Sequence, residues 1–162
     1  MIAPIKVLHV ITSLERGGAE VSLTRLLESP GYDGIRHVGV ATLSGSDTPL
    51  SRRIVAAGVP VHHLGGSGPV EAWRRWRRLL ASTQPDILHA WLIHPAALLS
   101  LLPHRVPLVL GIRHSLDSLA GEKFLTRAII RALAILGRRA RRICYVSHTG
   151  RRQHEAIGYP AA

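Results

Sequence analysis

Two adjacent glycines, Gly17 and Gly18, separate the apolar segment Ile5–Ile11 from an amphipathic segment that begins at Ala19. Glycine lets the backbone approach a ligand closely, and the free N–H groups at the start of a following helix attract anions. The turn over residues 12–18 therefore predicts a phosphate site, although a tight turn without a ligand accounts equally well for the same residues. Its spacing matches neither the dinucleotide-binding nor the Walker glycine pattern.

Polar and aromatic side chains occur at the ends of two later apolar segments, residues 86–91 and 107–112. These side chains are His89, Trp91, His94, Arg113, His114 and Ser115. Histidine hydrogen-bonds hydroxyl groups and exchanges protons near neutral pH, so the pattern is typical of a site for acid–base chemistry. No metal site is expected, because His89 and His94 lack a third ligand in any clear pattern. A structural role for His89 is as good an interpretation as contact with a ligand.

Short apolar segments alternate with helical patterns along the whole chain. Strands are predicted at residues 5–11, 37–43, 59–64, 86–91, 107–112 and 142–146, and helices at 19–28, 49–57, 70–82, 94–102, 121–139 and 149–157. This alternation predicts an α/β fold: a single Rossmann-like domain over residues 1–162, with a mostly parallel sheet and helices on both faces. In such sheets ligands bind beyond the carboxyl ends of the strands, which is where the candidate residues fall.

The chain is strongly basic, with 21 basic and 10 acidic residues among 162 and a formal net charge of +11. All the basic residues except Lys6 and Lys123 are arginines, whose planar guanidinium suits phosphate. The excess predicts an anionic partner, and a merely solvated arginine-rich surface is an interpretation of similar weight. Nucleic acid is disfavoured, because aromatic residues rarely interleave with the arginines and no reader motif occurs.

Cysteine usage and hydropathy bear on the compartment. Cys144 is the only cysteine, so an intrachain disulfide is impossible and a reducing compartment fits. It stands in an apolar segment and is expected to be a buried small hydrophobe. No secretory signal and no apolar stretch long enough to span a bilayer are visible in the sequence. We therefore expect a cytoplasmic protein. A further expectation is peripheral contact with the inner face of the membrane.

One basic amphipathic segment, residues 70–82, suggests how such contact could arise. Helical spacing places Trp73 and Trp76 on its apolar face and Arg74 and Arg77 on the opposite face. Tryptophan beside arginine is typical of an interfacial membrane helix, so these four residues are a candidate membrane surface. The simpler interpretation is that the apolar face packs on the sheet while the arginines are solvated.

In their order along the chain these motifs resemble the first half of family 4 glycosyltransferases of the GT-B fold. The matching segments are Lys6-Val7-Leu8-His9-Val10-Ile11, Gly17-Gly18-Ala19-Glu20, Pro85-Asp86-Ile87-Leu88-His89 and Gly158-Tyr159-Pro160. The resemblance implies that Gly17 and Gly18 lie against the donor diphosphate and that His114 faces the donor sugar and acceptor as the catalytic residue. It also implies that the acceptor or the cleft is lined by Arg113, Ser115, His89, Trp91 and His94. His148 stands where the family often has Glu after the serine.

The resemblance further implies the reaction. It would be transfer of a hexosyl group, with retention of configuration, from a nucleotide sugar to a glycan or lipid-linked acceptor in polysaccharide biosynthesis, without a metal cofactor. The resemblance covers only the acceptor-side N-terminal domain, so a C-terminal donor-binding domain is expected to be absent from these residues and the fragment to be inactive alone. A non-catalytic adaptor or membrane-surface module is the alternative. A dehydrogenase is disfavoured by the glycine spacing and by the lack of an acid at the end of the second strand.

Overall fold

The alternation of strands and helices predicted from the sequence is confirmed in a computed structural model, which describes residues 3–15, 17–31, 33–66, 68–113, 116 and 123–161. The strands are β1 (Ile5–Ile11), β2 (Ile35–Thr42), β3 (Val61–His63), β4 (Ile87–Trp91), β5 (Leu108–Ile112) and β6 (Arg142–Tyr145). The helices are α1 (Gly18–Glu28), α2 (Pro49–Ala56), α3 (Gly68–Thr83), α4 (Ile93–Leu101), α5 (Phe124–Leu136) and α6 (His148–Ala156). The strand order is β3-β2-β1-β4-β5-β6, a Rossmann-like arrangement.

The first of two compact units, residues 1–88, contains β1 to β3 and α1 to α3. β1 pairs in parallel with β2, with a register shift between Val7 and Leu8, and β2 pairs in parallel with β3. Leu8 and Val10 of β1 are fully buried, as the continuous apolar character of a two-sided parallel strand requires. The backbone N–H of Lys6 donates to the Asp86 carboxylate at 2.8 Å, and the Asp86 N–H donates to the Lys6 carbonyl at 2.8 Å. Asp86 therefore fixes the chain beside β1.

Histidines on the strands of this unit form a partly buried polar group. His9 is 1% exposed, and its Nε2 lies 3.0 Å from His37 Nδ1, so one ring must donate while the other accepts. His63 Nδ1 lies 2.8 Å from the Thr42 hydroxyl. Burial lowers the pKa of His37, and burial together with the neighbouring His63 lowers the pKa of His62. The His9–His37 and Thr42–His63 contacts therefore link neighbouring strands through side chains.

The second unit, residues 89–162, contains α4, β5, α5, β6 and α6, and β4 enters it at His89. β5 and β6 pair in parallel, and α4 packs against α5. Ile130 and Leu133 of α5 are fully buried. The sequence predicts one helix over 121–139. The α-helix instead ends at Leu136, and a separate 3₁₀ turn, Gly137–Arg139, follows it. Gly137 lowers helix propensity at this point, which explains the early end.

The short third strand is a second difference from the prediction. A strand is expected over 59–64, but only Val61–His63 forms one. Pro60 has no backbone N–H to donate, although its carbonyl accepts a bond from Val40 N–H at 2.9 Å. The proline therefore stands at the strand's beginning, and the ladder starts after it.

Candidate functional site

The N-terminus of α1 presents backbone N–H groups that the helix itself does not use. Gly17 is the N-cap residue in an extended conformation, and its carbonyl accepts the first helical bond from Val21 N–H at 3.0 Å. No side chain caps this end of the helix among the described residues. The N–H groups of Gly18 and Ala19 thus lack helical partners, and they carry the positive end of the helix dipole. This geometry fits an anion, as the glycine turn predicts.

The space over the two glycines differs. A methyl group placed on Gly18 would meet no atom of the described residues within 4 Å, so the helix N-terminus is open there. A methyl group on Gly17 would collide with the carboxylate of Glu20, which lies beside the turn. A phosphate bound here would have free access to Gly18. It would also lie near the Glu20 carboxylate, which carries a charge of the same sign.

Thr12, which directly follows β1, is a residue that the sequence analysis did not single out for chemistry. Its hydroxyl is buried and has no hydrogen-bond partner among the described residues, whereas its carbonyl accepts bonds from the Ser44 N–H and hydroxyl at 2.8 and 2.9 Å. A buried hydroxyl without a partner carries a free-energy penalty. Thr12 is the first residue of the turn over residues 12–18, for which the sequence predicts a phosphate site.

In the second unit, Arg113 and Trp91 form a stacked pair at the carboxyl ends of β5 and β4. The guanidinium carbon of Arg113 lies 4.0 Å from the centre of the Trp91 ring, and Trp91 is 1% exposed. Burial lowers the pKa of the Arg113 guanidinium, which nevertheless remains a cation at neutral pH. The stack fixes a half-buried positive charge, which is suited to orienting an anionic or hydroxyl-rich ligand.

His89 lies on the same strand as Trp91 and contacts its ring, with 5.0 Å between the ring centres. Gly111 of β5 makes room for this histidine. A methyl group on Gly111 would stand 3.2 Å from His89 Nε2 and 3.1 Å from the Ala90 carbonyl oxygen. His89, Trp91 and Arg113 are therefore brought together, and glycine at position 111 is what permits it.

The connection from β4 to α4 is strained. Leu92, the N-cap of α4, has φ of 73° and ψ of 169°, a region that side chains other than glycine's rarely adopt. Its N–H donates to the Gly111 carbonyl at 3.1 Å. His94, in the first turn of α4, is exposed. The structure thus places His94 on the surface rather than in the packed group formed by His89 and Trp91.

His114 and Ser115 lie outside the described residues, so their predicted roles stay predictions. Gly17 and Gly18 belong to the first compact unit, whereas His89, Trp91, His94 and Arg113 belong to the second. The two sets are therefore described separately, each within its own unit.

A third loop of interest begins at Ser147. The Ser147 hydroxyl accepts the Gly150 N–H at 3.0 Å and caps α6. His148 is exposed at the start of this helix. A pocket of about 270 Å³ is lined here by Ile143, Tyr145, Val146, Ser147, His148 and Arg151.

The aromatic group under α6 is another feature that the sequence did not reveal. His154 is fully buried, with ring centres 5.8 Å from Tyr145 and 4.9 Å from Tyr159, and its Nδ1 lies 2.7 Å from the Gly150 carbonyl oxygen. Burial raises the pKa of Tyr145 to about 12 and raises that of Tyr159 further. Both phenols therefore stay protonated at neutral pH. This group anchors α6 on β6.

The structure corrects two expectations about exposure. Trp76 of the candidate membrane helix is only 3% exposed and Leu79 is 5% exposed, so the apolar face of α3 packs inward and Trp76 is not available to a bilayer. Trp73 is 36% exposed. Cys144, in contrast, is exposed although a buried position was expected, because β6 turns this residue outward from Ile143.

The described part of the chain has neither a metal-binding cluster nor a membrane-spanning helix. No three His, Cys, Asp or Glu side chains there lie close enough together to hold a metal ion. None of the helices there is long and apolar enough to cross a membrane.

Comparison with known proteins agrees with this architecture. The sequence matches the family model of Glycosyltransferase Family 4 over residues 16–162. The fold is similar to that of HepE from Anabaena, solved in complex with UDP, with a TM-score of 0.74 and 18% identity. The alignment covers 97% of this chain and 42% of HepE. Comparison with curated proteins finds no significant match.

The fold and the family match together define a glycosyltransferase domain of the Rossmann-like α/β class. The chain belongs to glycosyltransferase family 4, and its resemblance to the N-terminal domain of a GT-B enzyme is confirmed.

Proposed function

We propose that this chain supplies one lip of a nucleotide-sugar cleft in a retaining hexosyltransferase. The family match over residues 16–162 is the observation that carries the proposal. The transferred hexosyl group would pass from a nucleotide sugar to a glycan or lipid-linked acceptor in polysaccharide biosynthesis. HepE, of similar fold, was solved with UDP, which supports a uridine or related nucleotide in the donor.

The first unit's contribution is to bind the donor phosphates. The Gly18 and Ala19 amides are oriented by the helix before any ligand arrives, so they stabilise a phosphate charge without reorganising. As the sugar departs, negative charge builds up on the diphosphate, and a fixed dipole at that place lowers the barrier.

The second unit's contribution is to orient the sugar and acceptor. The Arg113–Trp91 stack provides a fixed cation, and His89 provides a ring nitrogen beside it. His114, which follows Arg113 in sequence, is proposed as the catalytic residue that contacts the donor sugar and the acceptor hydroxyl. Ser115 and His94 are proposed to line the acceptor side. No metal ion is needed in this scheme, because amide dipoles and cations carry the charge stabilisation.

We further propose that the isolated 162-residue chain does not catalyse sugar transfer, because one side of a cleft cannot hold the donor in a reactive geometry. The site of action is proposed to be the cytoplasmic face of a membrane. The alternative function is that of a non-catalytic adaptor with a Rossmann-like fold. The observation that supports this alternative is the basic surface described below.

UDP titration followed by amide NMR tests the proposal. We expect chemical-shift changes that saturate at millimolar UDP and are concentrated at Gly18, Ala19 and Glu20, because their N–H groups face the phosphates. Shifts confined to other segments, or no shifts, would contradict the donor-binding role and favour the adaptor. A parallel assay with labelled nucleotide sugars should detect no product; measurable transfer would overturn the proposed inactivity of the isolated chain.

A further inference from the structure

A basic groove of about 870 Å³ lies in the second unit, at the amino ends of β5 and β6. Leu108, the first residue of β5, lines it, and Arg141 directly precedes β6. The Arg113–Trp91 stack lies at the carboxyl ends of the strands, so the groove occupies the opposite edge of this unit. Nothing in the proposed transfer reaction uses it.

The cations of the groove are exposed and have no ion-pair partner in the part of the chain that the structure describes. Four arginines line it: Arg105, Arg138, Arg139 and Arg141. All four are exposed. Among the described residues, no acidic side chain lines the groove and none forms an ion pair with any of the four arginines. By contrast, the arginines of α3 share Glu71, which lies 3.9 Å from Arg74 and 3.8 Å from Arg78. The groove therefore attracts anions more strongly than α3 does.

Two side chains in the groove are held in place. Arg139 Nη1 donates to the Ser100 carbonyl at 3.0 Å, which fixes its guanidinium at the groove wall. His104 has its two ring nitrogens 2.8 and 3.0 Å from the carbonyl oxygens of Val106 and Leu99. The Ser100 hydroxyl, on a residue that is 2% exposed, is buried without a hydrogen-bond partner among the described residues. This wall is ordered before any ligand binds.

Large aliphatic side chains project from the same region. Leu101 is 61% exposed and adjoins Ser100 and Leu102, both of which line the groove. Ile135 is 71% exposed near the end of α5, and the 3₁₀ turn that directly follows this helix contains Arg138 and Arg139. Basic side chains flanked by exposed aliphatic ones match the layering of a bilayer surface, with phosphate outside and acyl chains beneath.

The charge of the chain is concentrated in the same unit. Residues 89–162 contain eleven basic and three acidic residues, which is +8 of the total formal charge of +11. We propose that the basic groove, with Leu101 and Ile135 at its rim, is the surface by which this chain binds the phosphate headgroups of an anionic membrane. This surface differs from the α3 helix that the sequence suggests, and its test does not depend on sugar transfer.

Vesicle co-sedimentation of the 162-residue chain tests the proposal. Phosphatidylcholine vesicles with about 30 mol% phosphatidylserine should bind the chain, and pure phosphatidylcholine vesicles should not. Each arginine at an anionic surface strengthens binding by roughly fivefold, so the double variant Arg138→Gln/Arg141→Gln should bind about 25-fold more weakly. This variant leaves the Arg139–Ser100 bond intact, and an unchanged circular dichroism spectrum should verify its fold.

The matched control is Arg74→Gln/Arg78→Gln on α3, which removes the same charge. It should weaken binding by less than about fivefold, because Glu71 already offsets these arginines. Equal losses in the two double variants would overturn the proposal, since they would indicate attraction by net charge alone. Wild-type binding by the groove variant, or no binding to anionic vesicles, would overturn it as well.

Variants of the rim residues Leu101 and Ile135 distinguish a membrane from a soluble phosphate compound as the source of the anion that binds the groove. Leu101→Gln and Ile135→Gln should each weaken binding to anionic vesicles by about tenfold, because an aliphatic side chain is lost from the acyl region. Val55→Gln, at a side chain 55% exposed in the first unit, should leave binding unchanged. If inorganic pyrophosphate binds the groove and the rim variants keep wild-type vesicle binding, the groove is a soluble-phosphate site and the membrane proposal is wrong.

Discussion

The guanidinium of Arg113 stacks 4.0 Å above the ring of Trp91, and this contact joins the carboxyl ends of two strands. A cation on an aromatic face contributes about 1–2 kcal/mol when the pair is partly desolvated. Trp91 is almost completely buried, so the stack provides both packing and a fixed positive charge. Sequence places the two residues 22 positions apart, and only the pairing of their strands brings them together.

A double-mutant cycle measures this stack. Trp91→Leu should lower the free energy of unfolding by about 3 kcal/mol, because a buried indole is replaced by a smaller side chain. Arg113→Gln should lower it by about 1 kcal/mol, and the double variant should lose less than the sum of the two. Arg152→Gln, at an exposed arginine of α6, is the control and should have no coupling to Trp91. Additive losses from Trp91 and Arg113 would show that the contact contributes nothing.

Gly111 permits the close approach of His89. Gly111→Ala places a methyl group 3.1 Å from the Ala90 carbonyl oxygen, which belongs to the backbone of β4 and cannot move freely. We expect a loss of about 1–3 kcal/mol in the free energy of unfolding and a changed environment for the His89 ring. Gly31→Ala, where a methyl group meets no described atom, is the matched control. Unchanged stability and an unchanged His89 NMR signal would contradict the packing described here.

The half-buried histidines His37 and His62 of the first unit predict a dependence of stability on pH. Burial holds the pKa of His37 below its unfolded value of about 6.5, so below that pH the unfolded chain binds more protons than the folded one. The free energy of unfolding should therefore be highest above about pH 6.5 and should fall as the pH drops towards the folded pKa. His62 acts in the same direction.

Chemical denaturation at about pH 7.5 and about pH 5.5 tests this dependence. His37→Gln should be less sensitive to pH than the wild type, whereas His148→Gln, at an exposed position, should keep the wild-type sensitivity. An equal pH dependence in all three proteins would show that titration of His37 is not its source.

The strained Leu92 gives a prediction that compares two variants. At an ordinary position glycine is less stable than alanine, because its backbone loses more entropy on folding. At φ of 73° and ψ of 169° the order should reverse, and Leu92→Gly should be more stable than Leu92→Ala by about 1 kcal/mol or more. Thermal denaturation of the pair decides it. If the alanine variant is the more stable, the backbone at Leu92 is not strained.

The regular elements could be predicted because local sequence determines them. The apolar, β-branched segment Ile5–Ile11 forms a strand with the predicted bounds, and Gly58 follows α2 with φ of 84°, as a residue after a helix end commonly does. Two bounds differ from the prediction because of single residues inside the predicted elements. Pro60 shortens β3 because it has no N–H to donate to the ladder, and Gly137 ends α5 because glycine has a low helix propensity.

The positions of the candidate site residues along the chain could be predicted from the sequence, but the contacts between their side chains could not. The glycine turn before α1 and the polar strand ends were found because chain order places them there. Which side of a helix is covered depends on its neighbours, so Trp76 was assigned to a membrane surface although it is buried. The Trp91–Arg113 stack arises from the pairing of distant segments, which no local pattern encodes.

The proposed phosphate site at α1 is tested most directly by the UDP affinity of Gly18→Ala compared with Gly31→Ala. A methyl group meets no described atom at either position, and alanine favours the helix at position 18, so both variants should fold at least as stably as the wild type. We predict that Gly18→Ala weakens UDP binding by about tenfold or more, because the methyl group occupies the space of the phosphate, while Gly31→Ala leaves it unchanged. Wild-type UDP affinity in the Gly18→Ala variant would contradict the account.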